Sequence, residues 1–245
     1  MKKLQRVLAP ILVCCLLLNS TACSKSEEIN QQKIISPTLS NNIIIDIYKE
    51  SLSKDADFIK IIHLETQIKE VLLDGLNNDN GLQLLNIEKS LTTANTKEEM
   101  ILAFSLNGIN NGEELVNLFQ NKVDLLKNII NKFPNLHQLN AQEMIELYKY
   151  SRAVILNPGK EVIHPFSDNK TFCMRAFEVG MSDCEDDYQS ALANSFETTA
   201  IALFTGGPLA ATLTAAITAY SAVKALHTCT DRTIRNYTIC NKPQQ

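Results

Sequence analysis

Four cysteines near the C-terminus, Cys173, Cys184, Cys229 and Cys240, carry the clearest chemistry in the chain. They stand as two pairs eleven residues apart, and the inner and outer members share one midpoint between Gly206 and Gly207. Thiols so placed can oxidise to two disulfides or jointly ligate a metal. Zinc sites draw ligands from close pairs such as C-x2-C, which this segment lacks, so oxidation is the expected chemistry. Eleven residues of α-helix make about three turns plus 20° and rise about 16 Å. Cysteines at that spacing on one helix share a stripe but cannot bond to each other, because a disulfide needs Cα atoms within about 7 Å. Gly206-Gly207-Pro208 is a stop-and-start signal, glycine ending one helix and proline opening the next. Antiparallel arms folded there place Cys184 opposite Cys229 and Cys173 opposite Cys240.

Residues between the cysteines support that register. The stripe continues on the first arm through Phe177, Gly180, Tyr188, Ala191, Ser195, Thr199 and Ala202. Reflection through the turn gives Asn236, Thr233, Ala225, Ala222, Thr218, Thr214 and Ala211. Both faces are small toward the turn, which lets helix axes approach as an interhelical disulfide requires. Ser182 with Glu185, just after Gly180, also reads as a capping box, so the sequence leaves open whether the first arm breaks or kinks near that point or runs on. In the chain-entropy picture the inner bond contributes about 4 kcal/mol, and the outer bond adds less.

Other candidates for chemistry are sparse. Asp183, Glu185, Asp186 and Asp187 form the one local concentration of carboxylates, and Asp183 and Asp187 share a helix face as the single weak metal candidate. Calcium usually takes six to eight oxygens from a bent loop, so a solvated helical turn paired with Arg175, Arg232 or Arg235 across the hairpin is the expected role. His63, His137, His164 and His227 are scattered, with no partner at a ligand offset. The sequence holds no G-x-S-x-G, P-loop, H-E-x-x-H or G-x-G-x-x-G. No catalytic residue and no cofactor is expected.

The N-terminal residues concern address rather than chemistry. Lys2, Lys3 and Arg6 precede an apolar run, Val7 to Leu18, that is shorter than the about 20 residues a spanning helix needs. Small residues follow, Ser20-Thr21-Ala22-Cys23. Residues 1–22 thus read as a cleaved signal peptide, and Ser20 with Ala22 also fits ordinary secretion. Cysteine parity bears on the choice. Cys14 and Cys15 leave with the signal, four cysteines pair in the hairpin, and Cys23 is left over. The segment resembles the lipobox of bacterial lipoproteins, in the looser form of the Bacteroidota, with Ser20 where leucine is usual. That resemblance implies lipidation at Cys23 and a membrane partner held through the lipid anchor in the cell envelope, on the outer membrane. Ser24-Lys25-Ser26-Glu27-Glu28 is similar to the signal that sends some such lipoproteins to the outer face, with Ser26 as an extra residue.

Loss of the three basic signal residues takes the formal charge from −4 to −7. An acidic chain excludes nucleic acid as an expected partner and excludes charge-driven binding to anionic lipid. Residues 23–45 read as lipidated cysteine and polar tether. From there to residue 155 the apolar spacing is helical. Phe58, Ile61, Ile62, Ile68, Val71, Leu72 and Leu76 form one stripe, interrupted by Asn77 to Gly81. Thr96 with Glu99 starts a helix bearing Met100, Ile101 and Phe104, and Asn107 to Gly112 break it. Leu115 to Ile130 form a longer helix stopped at Phe133-Pro134. Asn140 with Glu143 caps a last helix ended by Asn157-Pro158-Gly159. The expected fold is all-α: a bundle of four or five helices over 46–155, a linker over 156–170, and a stapled hairpin over 171–241.

The hairpin turn sits inside an uncharged stretch of 26 residues, 198–223. Packing against the bundle would explain why Ile201, Leu203, Phe204, Leu209, Leu213, Ile217 and Tyr220 point away from the small seam. Two functions are then open. The first is a non-enzymatic envelope lipoprotein that binds a protein or other surface ligand. The alternative is a membrane-active hairpin, of the toxin or pore-former kind, that inserts tip 198–223.

Overall fold

The computed structural model describes residues 41–77, 84–156 and 172–241. The signal, Cys23 and its export motif, Gly81, the linker beyond Leu156 with His164, and most of the tether lie outside the described residues. Within them the chain is helical with no strand, and the elements are α1 (Asn41–Lys54), α2 (Ala56–Asn77), α3 (Leu84–Thr93), α4 (Lys97–Ser105), α5 (Gly112–Lys132), a 3-10 turn (Pro134–Gln138), α6 (Ala141–Leu156) and α7 (Phe172–Cys240). Helix α7 is two helices bent at Gly207, whose φ of 78° is the left-handed conformation that favours glycine. Its arms are residues 172–206 and 208–240.

Local chemistry sets the boundaries. The Asp55 carboxylate caps α2 by accepting the amides of Asp57 and Phe58 at 2.9 and 3.1 Å. Thr96 caps α4, its hydroxyl oxygen accepting the Glu99 amide at 3.1 Å. Asn140 and Glu143 form a reciprocal box at α6, each side chain accepting the other's amide at 3.0 and 2.7 Å. Phe133-Pro134 ends α5 as the sequence predicts. Helix α1 begins at Asn41, so the last residues read as tether are helical. Two asparagines at its start hide it from propensity, while Ile45 and Leu52 farther on are buried.

One core joins the bundle to the hairpin. Helix α5 packs on α2, α4 and the hairpin, and α2, α3 and α6 also contact the hairpin. The stripe Phe58, Ile61, Ile62, Ile68, Leu72 and Leu76 is buried, as are Leu115, Phe119, Val123, Leu126 and Ile129 of α5. Phe58, Tyr148 and Phe196 meet at ring-centroid distances of 5.7 to 6.0 Å, which sets the first arm against α2 and α6.

Burial along the hairpin is uneven. Its middle is covered, with Cys184, Tyr188, Leu192, Phe196, Ala215, Ala219, Tyr220 and Val223 in the core. Both ends extend past that cover. The expected packing of the uncharged stretch therefore needs correction. Tyr220 is buried and Leu203, Leu213 and Ile217 are half-buried, but Ile201, Phe204 and Leu209 are 53%, 65% and 43% exposed. The first arm also runs unbroken past Gly180, since Gly207 is the one non-helical residue in α7. Glycine at 180 serves an approach rather than a break: a Cβ there would sit 2.9 Å from Cγ2 of Thr233.

Candidate functional site

The hairpin register follows the cysteine arithmetic. Cys173 bonds to Cys240 and Cys184 to Cys229, with Cα separations of 5.8 and 5.7 Å. The mirrored small residues meet as well. The Ser195 and Thr218 hydroxyls hydrogen-bond at 2.6 Å, Gly180 faces Thr233, and Tyr188, Ala191, Ala222 and Ala225 share one small cleft beside the inner disulfide. The outer disulfide lies in the exposed base, where Phe177 and Tyr237 are in ring contact at 4.9 Å. The outer bond thus holds one of the two ends of the hairpin that the bundle leaves uncovered.

The opposite end presents a different surface. Ile201, Phe204 and Leu209 are exposed around the Gly206-Gly207-Pro208 turn, inside the stretch that has no charge. Thr198, Thr205, Thr212 and Thr218 donate their hydroxyls to carbonyls four residues back, at 2.8, 3.0, 2.8 and 2.8 Å. These bonds hide hydroxyl polarity that the composition implies. By length and composition Phe172–Cys240 is apolar enough to cross a membrane, yet the bend divides it. The uncharged part of the first arm, 198–206, is about 13 Å long, under half of a bilayer's hydrocarbon core of about 30 Å.

Beside the tip lies a cavity of about 400 Å³. One wall is the first arm, with Phe196, Ala200 and Phe204. The other is the connection from α5 to α6, with Phe133, Leu136 and Met144. Its two polar side chains are His137 and Glu197. His137 Nδ1 contacts the Pro134 carbonyl; a carbonyl can only accept, so this nitrogen carries the proton and Nε2 of the neutral ring is an acceptor. The start of this wall is tied down by Lys132, whose ammonium reaches Asp55 at 2.7 Å and Asp57 at 2.8 Å. Burial works to raise the Asp55 carboxyl, but the Lys132 ammonium and the amides of Phe58 and Asp57 hold it below its usual value. The same two carboxylates raise Lys132.

A buried ion cluster underlies the hairpin's middle. The Glu65 carboxylate lies 2.8 Å from the Lys122 ammonium and 3.0 Å from the Arg152 guanidinium, and all three side chains are at most 5% exposed. Tyr148 donates its hydroxyl to the same carboxylate. Burial, reinforced by the Glu65 charge, pushes the Tyr148 hydroxyl well above its ordinary value. Tyr188 on the hairpin is raised for the same first reason, with Glu65 again contributing, and the Lys69 ammonium sits 4.6 Å over its ring. Enclosed on every side, the cluster has no surface to offer a substrate. Its chemistry is structural: one carboxylate offsets two buried cations.

Sequence reasoning missed this cluster, although a signal was present. Glu65 falls on the stripe Phe58, Ile61, Ile62, Ile68, and Lys122 falls between Phe119 and Leu126 on another, both at apolar positions. A charge on a core stripe needs a partner.

Asp183 and Asp187 share a face as expected but are exposed. Among the described residues no group of three or more His, Cys, Asp or Glu side chains could hold a metal ion. Glu185 pairs not across the hairpin but with Lys69 of α2, at 3.3 Å, because the bundle reaches that turn of the arm. His63 lines an open surface groove with Lys60 and Asp124, and His227 lies 3.8 Å from Asp231 one turn along. Comparison of the chain with protein-family models, curated proteins and solved structures found no match.

Proposed function

We propose that this chain is a lipid-anchored protein of the bacterial cell envelope, acylated at Cys23 and attached to the outer membrane, that acts by binding a ligand or protein partner rather than by catalysis. The observation that carries the binding reading is the hairpin tip, with Ile201, Phe204 and Leu209 exposed in a region that has no charge. Exposed apolar surface that continues into an apolar cavity marks a contact site. Two disulfides support export, since such bonds persist in oxidising compartments. The lipobox-like residues before Cys23 support acylation. In cells fed labelled palmitate, the protein should take up label and sediment with membranes. Cys23→Ala should abolish both, and label retained by that variant would remove the anchor from this reading.

A second reading is membrane insertion of the tip, which the self-satisfied threonine hydroxyls favour. Vesicle leakage separates the two. Delipidated protein that only binds leaves vesicles intact, whereas leakage abolished by Leu209→Glu would put membrane activity first.

A further inference from the structure

We infer that the cavity between the first hairpin arm and the α5–α6 connection is a binding site for a single alkyl chain whose head donates hydrogen bonds, with a primary ammonium as the best-matched head. The size fits: about 400 Å³ lies in the range of small-molecule sites, about 300 to 1,000 Å³. The lining fits as well. Phe133, Leu136, Met144, Phe196 and Phe204 present hydrocarbon from both walls, and apolar cavities of this kind take apolar guests in preference to water.

The two polar side chains select the head. Glu197 brings a carboxylate, and among the described residues no cation pairs with it. With its Nδ1 committed to Pro134, the His137 tautomer that this contact selects offers Nε2, a second acceptor. Neither supplies a donor. A carboxylate-headed chain would meet like charge and no donor from these side chains, whereas an ammonium or hydroxyl meets two acceptors. A peptide segment is disfavoured by the same count, because its carbonyls would be buried without donors from the lining side chains. The exposed Ile201 and Phe204 on the rim extend the apolar surface toward the turn.

This inference stands apart from the question of anchoring, and its test uses the full chain with Cys23→Ser so that a failure of one does not count against the other. Dodecylammonium, dodecanol and dodecanoate are titrated calorimetrically below their aggregation limits. Saturable one-to-one binding of dodecylammonium, about tenfold tighter than dodecanoate and with dodecanol between them, is expected. Glu197→Gln should narrow the ammonium preference to about threefold or less. Ala200→Phe, which fills the cavity, should abolish binding of all three, separating site binding from general attraction to an acidic protein. Should Ala200→Phe misfold, Phe204→Ser on the exposed rim should weaken all three together. No saturable binding, equal affinity for dodecanoate, or binding unchanged by Phe204→Ser or by a folded Ala200→Phe would overturn the proposal.

Discussion

The two ends of the hairpin both extend beyond the bundle, and they are built in opposite ways. At the base, the outer disulfide joins the arms, and exposed apolar residues such as Ile234 and Ile239 stand among Arg175, Glu178, Asp231, Arg232 and Arg235. At the tip no covalent bond is present and no charge occurs from 198 to 223, yet Ile201, Phe204 and Leu209 face outward beside a cavity. A solvated end needs staples, since water competes for its contacts and little apolar area is removed from water there. The tip has no such reason to expose hydrocarbon. The difference separates structure from proposed use: the base is a brace, and the tip is the surface to which we assign contact.

Both ends lean on the middle, so the largest effect should come from the buried ion cluster. Glu65→Ala leaves the Lys122 and Arg152 charges buried without their carboxylate. A loss on the order of 5 kcal/mol is expected in denaturant unfolding, with both ends loosened together. Removing the inner disulfide with Cys184→Ala and Cys229→Ala should cost about 4 kcal/mol. Hydrogen exchange should place the new opening in the base, around 172–183 and 230–240, and opening confined to the tip would erase the distinction.

The Asp55–Lys132 tie acts on the tip through the cavity wall that starts at Phe133. Asp55 has a folded pKa below its unfolded value, near 3.9 for a free aspartate. Its contribution is therefore present above the unfolded value and lost as pH falls through the lower folded one. Asp55→Asn keeps the cap but should remove that acid step from the stability profile, and loss of the partly exposed Lys132 pair should cost no more than about 1 kcal/mol at neutral pH. Smallest of all is Phe204→Ser. Because Phe204 is exposed, thermal unfolding should register under about 0.5 kcal/mol, while binding at the tip falls.

The sequence was most readable where geometry repeats. Eleven-residue spacing about one midpoint sets both disulfides and the contacts of Ser195 with Thr218 and Gly180 with Thr233, because helical phase carries a register across a hairpin. Capping at Thr96 and Asn140 was equally legible, since a short polar side chain three residues before an acidic one is local chemistry. Coverage was not. Which turns of the hairpin the bundle reaches depends on where α5 and α6 lie in space, so Tyr220 and Phe204 look alike in sequence and differ fully in exposure. The cavity escaped for the same reason: Glu197 and His137 lie 60 residues apart and share it only through the packing of the first arm on the α5–α6 connection. Two local signals mislead: the asparagines that open α1 read as tether, and Ser182 with Glu185 reads as a cap where Lys69 claims the glutamate and the helix runs on.

The division between brace and contact surface is tested most directly by cross-linking in intact cells. A photoreactive residue is placed at Phe204 in one variant and at Ile239 in another, 65% and 66% exposed respectively, so exposure is matched and only the end differs. Adducts to a ligand or partner from position 204, with none from 239, are the result this account predicts. Adducts from 239 equal to or stronger than those from 204 would contradict it.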